Sequence, residues 1–258
     1  MIELVSLSGL AAFVVASLVV GARILMLAAR TRLLPETTVG SSLFLAGGVG
    51  TAMMIAPLLY PRFEAGTVYF LYQAGSMFSH IGFLLLFIFV WRVFRPDEAW
   101  ATALFLACAA ALLIGGAGIG MAVEPGGASP AREAEVGGVW FWLSIAGRFA
   151  GYTWAAIESF RYHALLKRRL KLGLADEGVV ARFFYWGICT SAVVVIWIAT
   201  AAQNLLLESE GLVAIAGLVT PMMGFVVAGS LWVAFFPKRR HDSVGDSDSV
   251  PTATGGQD

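Results

Sequence analysis

The stretch "VWFWLSIAGRFAGYTWAAIESF" (139–160) places an arginine deep in apolar sequence. A charge inside hydrocarbon is costly, so an intramembrane ionisable residue is a functional candidate by default. Arg148 lies about ten residues into this run, too far from either end to snorkel easily, with Tyr152 one turn on. A guanidinium there could hold an anion or carboxylate within a bundle, or hydrogen-bond the carbonyls of a neighbouring helix. Glu158 follows ten residues later, about 15 Å along a helix at ~1.5 Å per residue, so the two cannot pair directly. Arg23 stands at about the depth of Glu158 on the first apolar segment, which predicts an Arg23–Glu158 ion pair between helices; Arg161 is also within reach one turn on. His80, in "QAGSMFSHIGF", is central to its own segment and could relay a proton, sense pH, or simply bond a serine or a carbonyl. Tyr72, Gln73 and Ser76 continue its polarity outward. With Gln203 and Asn204, the first two could line an outward-facing pocket. The ligand-binding candidates are therefore Arg148, His80, Gln73, Tyr152 and Tyr72.

Other chemistries lack their residues. Every lysine stands at a segment boundary, so a covalent retinal Schiff base has no partner. Haem needs two ligands at matching depth on facing helices, whereas His80 is central, His163 peripheral and His241 near the C-terminus. A catalytic zinc usually takes three protein ligands, and one deep histidine does not supply them. Cys108 and Cys189 both fall in apolar segments without metal spacing. No nucleophile–base set, phosphate loop or dinucleotide motif occurs. The chain reads as a non-enzyme with no cofactor, no metal and no nucleic-acid partner.

The elements that must position these residues are long apolar helices. The chain has 258 residues, 59% hydrophobic and only 13% charged, which is too little polar surface for a soluble domain. Apolar runs exceeding ~18 residues predict an all-α polytopic membrane protein. Seven spans are expected, roughly 4–29, 38–59, 66–93, 99–122, 138–163, 181–206 and 211–236, in one transmembrane domain over 1–240. Residues 241–258 are Ser, Asp, Gly and Thr with little apolar content and read as a disordered tail. "MIELVSLSGL" carries Glu3 and no basic residue, so the first segment reads as a retained helix. Basic residues gather after the odd spans: Arg30 and Arg32; Arg92 and Arg95; Lys167, Arg168, Arg169 and Lys171; Lys238, Arg239 and Arg240. The other side has Arg62 and Arg132. The positive-inside rule puts the N-terminus outside and the C-terminus in the cytoplasm of an inner cell membrane. The basic face would meet anionic lipid headgroups or a protein partner.

Two echoes suggest a repeat. "LPETTVGSSLFLAGG" from Leu34 and "LADEGVVARFFYWGI" from Leu174 start 140 residues apart. "GFLLLFIFVWRVFRP" from Gly82 and "GFVVAGSLWVAFFP" from Gly224 match at nearly the same offset, and both end Trp, Phe, Pro. A three-plus-one-plus-three parallel repeat follows, with the fourth span as linker. Gly116 and Gly120 have small-xxx-small spacing, suited to close packing within the bundle or in a homo-oligomer.

"LKRRLKLGLADEGVVARFFYWGI", "WRVFRP" and "WVAFFP" together resemble a family of bacterial seven-helix integral membrane proteins, over nearly the whole chain to Pro237. That resemblance implies architecture and no mechanism, because the family has no established activity. In layout the chain is also similar to opsins, heptahelical receptors and small three-plus-one-plus-three sugar transporters. It lacks the opsin lysine, an Asp-Arg-Tyr after the third span and an Asn-Pro-x-x-Tyr in the seventh. The expected role is a heptahelical sensor binding a small molecule or lipid within the bundle. The alternatives are a small-solute transporter and a non-catalytic membrane scaffold.

Overall fold

The computed structural model describes residues 2–60, 62–124, 137–205 and 210–236, with side chains described outside 2–6, 58 and 210–217. Among the described residues every regular element is helical: α1 (Ile2–Thr31), α2 (Leu34–Ser42), a π-helical stretch (Leu43–Gly50), α3 (Thr51–Leu59), α4 (Ala65–Phe94), α5 (Ala99–Ala122), α6 (Val139–Leu170), α7 (Glu177–Leu205) and α8 (Glu210–Phe235). The expected tail, residues 241–258, lies outside the described residues, as do Arg132 and Lys238–Arg240.

Among the described residues, six helices are long and apolar enough to cross a membrane: Leu7–Thr31, Leu34–Pro57, Ala65–Phe94, Ala99–Ala122, Glu177–Leu205 and Leu218–Phe235. α6, at 32 residues, is the longest helix described, yet Arg148, Glu158 and a basic C-terminus dilute its apolar character. Its length is about 48 Å, well beyond a ~30 Å hydrocarbon core. The helix outruns the expected boundary near residue 163 because "ALLKRRL" is built of good helix formers. It stops where Gly173 takes a left-handed φ of 70°, with the Gly173 N–H on the Leu170 carbonyl and the Leu174 N–H on that of Arg169. Asp176 then caps α7 by accepting the Val179 N–H at 3.1 Å.

The second rod is not a plain α-helix. Between α2 and α3 runs "LFLAGGVG" in π form, and Thr51 Oγ1 donates to the Ala46 carbonyl five residues back. Its glycines meet both neighbours: a Cβ on Gly47 would strike Ser17 of α1, and one on Gly50 would strike Ser79 of α4. The rods pack in chain order. α1 touches the α2–π–α3 rod, that rod touches α4, and then α4–α5, α5–α6, α6–α7 and α7–α8 follow. α8 returns to α1 and closes the ring, while α4 also reaches across to α6. The main core gathers Val20, Leu86, Phe87, Leu112, Tyr152 and Leu231. A smaller one sits around Tyr72, Ile119 and Phe141. The C-terminal ends of α1, α4, α6 and α8 share one end of the bundle with the described basic clusters, referred to below as the basic end.

Candidate functional site

Ser144, Arg148 and Tyr152 recur every four residues on α6, so they share one stripe. That stripe faces α4, where His80 stands one turn beyond Ser76. His80 Nδ1 lies 2.7 Å from the Ser76 carbonyl oxygen, an acceptor only. Its Nε2 lies 3.2 Å from Arg148 Nη2, a donor only, and 3.5 Å from Ser144 Oγ. The two main partners fix the ring: Nδ1 carries the proton and donates to Ser76, and Nε2 accepts from Arg148. His80 is thus a neutral imidazole bridging α4 to α6. Both residues are buried, His80 at 8% and Arg148 at 7% exposure.

Two rings flank the guanidinium. Arg148 Cζ is 4.9 Å from the Trp197 centroid on α7 and 5.4 Å from that of Phe83 on α4, within cation–π range. Phe83 also meets the edges of Tyr152 and Trp197, at 5.8 and 6.1 Å. Tyr152 therefore belongs to the same cluster through Phe83.

α5 supplies the floor. A Cβ on Gly116 would run into the His80 imidazole. Only glycine leaves room for the ring at that place. One turn further along α5, the Gly120 carbonyl accepts from Gln73 Nε2 at 2.9 Å. Gly116 and Gly120, expected as a small-residue packing stripe, are used within the bundle to receive two polar side chains of α4. Gln73 is thus engaged away from His80, and Tyr72 (2% exposed) belongs to the smaller core. Asn204 donates to the Thr200 carbonyl on its own helix, so its amide, like that of Gln73, is engaged by a backbone carbonyl.

The expected Arg23–Glu158 pair does not form. Glu158 accepts from Arg95 Nε at 2.9 Å, with Arg161 3.8 Å away, and Arg23 lies over the Phe236 ring at 4.2 Å. Depth was matched but azimuth was not: α1 neighbours the second rod and α8, and α6 lies elsewhere on the ring. Arg95, expected on a cytoplasmic basic face, takes the place at Glu158 that was expected for Arg23. It bridges α4 to α6, with Glu98 at 3.8 Å, and the Glu158 hydrogen bond holds its guanidinium above the ordinary arginine pKa. Arg92 stacks on Trp91 at 4.5 Å, while Lys167, Arg168, Arg169 and Lys171 are exposed.

Two hollows adjoin these elements. A groove of about 410 Å³ opens between α6 and α7 at the end opposite the basic one, lined by apolar residues including Trp142, Phe149, Trp197 and Ala202. Trp197 is therefore both a wall of the groove and the ring against Arg148. A cavity of about 210 Å³ lies at the basic end between α1–α2 and α7–α8. Phe83 and Trp197 carry no signal in the sequence that sets them apart from other aromatics in apolar runs, whereas Gly116 was expected only as a packing residue and not as the seat of His80. Among the described residues no group of three His, Cys, Asp or Glu side chains could hold a metal ion. No family model, curated protein or solved structure matches the chain.

Proposed function

We propose that this chain is a heptahelical membrane sensor. All seven rods cross the membrane, α6 included, with the basic end cytoplasmic and the N-terminus outside, as the basic residues after α1, α4 and α6 favour. The ligand is a lipid or lipophilic small molecule that enters the α6–α7 groove from the outer half of the bilayer. The single observation carrying this reading is the double role of Trp197: it walls the groove and stacks on Arg148, which holds His80. An occupant that turns the indole changes the cation–π contact and biases the α4–α6 bridge. That is differential binding to two arrangements, as a switch requires.

The test is thermal stability of the purified protein against a panel of phospholipids and isoprenoid lipids. A ligand that binds the folded state raises Tm by mass action. Wild type should gain a shift that Ala202→Trp, which fills the groove, abolishes. Hydrogen exchange around His80 should respond to the same lipid in wild type and not in Arg148→Ala. Absence of any shift, or an equal shift in Ala202→Trp, removes the sensor reading and leaves the scaffold. A small-solute transporter is the second reading. The basic-end cavity favours it, since its walls come from both halves of the expected three-plus-one-plus-three repeat.

A further inference from the structure

The basic-end cavity has a chemical character of its own. On α7 its lining residues are Val179, Arg182, Phe183 and Trp186, spaced three and four apart, so one helical face is turned into it. On α2 they are Pro35, Glu36 and Val39, again one face. Pro35 at the start of α2 fixes where that face begins. The floor is aromatic: Trp186 meets the edges of Phe89 and Phe235, each at 6.3 Å, and all three line the hollow.

Glu36 and Arg182 therefore stand on opposite walls of one small cavity. Among the described residues they form no ion pair within 4.0 Å, and Arg182 is exposed. Glu36 is half-buried, and Thr31 donates to its Oε2 at 3.1 Å, which holds the carboxylate in place. Trp186 is 7% exposed and contributes its ring to the lining of the hollow. The volume, about 210 Å³, is below the span of drug-sized pockets.

We infer that this cavity binds a small zwitterion of the α-amino-acid type with an apolar side chain. The ammonium meets Glu36, the carboxylate meets Arg182, and the side chain fills the hollow among Phe89, Trp186 and Phe235. A simple cation would engage Glu36 alone, and a simple anion Arg182 alone. A wholly apolar guest would separate two charges and give them nothing. The site is remote from the α6–α7 groove and does not rest on occupancy of that groove.

The test is equilibrium binding of radiolabelled L-leucine and L-phenylalanine to the full chain in nanodiscs. The competitors are isoamylamine, which lacks the carboxylate, and isocaproate, which lacks the amine. Saturable binding is expected, weakened by about tenfold or more in Glu36→Gln and in Arg182→Gln, since each removes a charge-assisted contact. Val39→Trp should abolish it by filling the cavity. All three positions lie at a rim or wall, and circular dichroism with a melting curve checks that each variant folds. If Val39→Trp does not fold, Val39→Phe serves in its place. Both competitors should displace leucine only weakly. Saturable binding of neither amino acid by the folded wild type overturns the inference. So does binding unchanged in both charge variants, or isoamylamine competing as well as leucine itself.

Discussion

At the scale of single residues, the central fact is a ring that must fit against a backbone. The His80 imidazole occupies the space that a side chain on Gly116 would need. Gly116→Ala is therefore expected to cost about 1–3 kcal/mol by overpacking and to push His80 off Arg148. A melting series with Gly116→Ala, His80→Ala and the double variant checks this. The double variant should lose much less than the sum, because removing the ring makes room for the methyl group. The Arg95–Glu158 pair carries a second expectation, with a direction. The Glu158 side chain is 6% exposed and that of Arg95 21%. Arg95→Ala leaves a buried carboxylate with Arg161 at 3.8 Å, and should cost about 3 kcal/mol or more. Glu158→Ala leaves an arginine that still reaches Glu98 and water, and should cost about 1 kcal/mol. Equal losses in denaturant or thermal unfolding would contradict this placement. Arg148 and His80 were legible in the sequence because polar residues stand out in apolar runs. Their mutual contact was not. Pairing requires the angle of each residue about its helix axis and the order of helices around the ring, and neither is written in one segment. The Arg23–Glu158 expectation failed for that reason.

At the scale of elements, local chemistry sets the ends of the helices. Arg32 closes α1 with φ at 56°, a left-handed conformation that a residue with a Cβ adopts reluctantly. Its N–H bonds the Ala28 carbonyl at 2.8 Å, so it caps the helix as a glycine would. Arg32→Gly should raise stability by about 0.5–1 kcal/mol, read as a higher Tm. Gly138, which opens α6 with φ 47° and ψ −122°, should show the reverse: Gly138→Ala is expected to cost about 1–3 kcal/mol. Most helix limits follow from such punctuation: Pro35 at the start of α2, Pro96 after α4, Gly173 after α6. The π stretch was not legible, since nothing in "LFLAGGVG" distinguishes a five-residue hydrogen-bond step from a four-residue one. It arises where glycines let this rod lie against Ser17 on one side and Ser79 on the other, a tertiary circumstance. The two Trp-containing endings are built from different partners. Trp91 stacks on Phe105 of α5 beneath Arg92 of its own helix, whereas Trp232 stacks on Phe236 of its own ending beneath Arg23 of α1.

At the scale of the whole molecule, the ring of rods in chain order was implicit in the short connections, which favour neighbours in sequence as neighbours in space. The proposed orientation is open to a direct check. Cysteines introduced at Gly66 and at Leu174 lie at opposite ends of the bundle. A membrane-impermeant maleimide applied to intact cells should label the first, and the second only after permeabilisation. Native Cys108 and Cys189 are buried and should contribute little background. Labelling of Leu174→Cys in intact cells would invert the topology.

The α4–α6 contact has a mechanical consequence. The two helices are fastened at two levels, by His80–Arg148 midway and by Arg95–Glu158 at the basic end. A plate held by one bolt can swivel, and a plate held by two cannot. A twist of α4 against α6 would have to strain or break one of these two contacts. A rearrangement that keeps both contacts would fall to the other rods: α1, the π-containing rod, α5, α7 and α8. The π-containing rod, unlike α4 and α6, already departs from regular helical pitch.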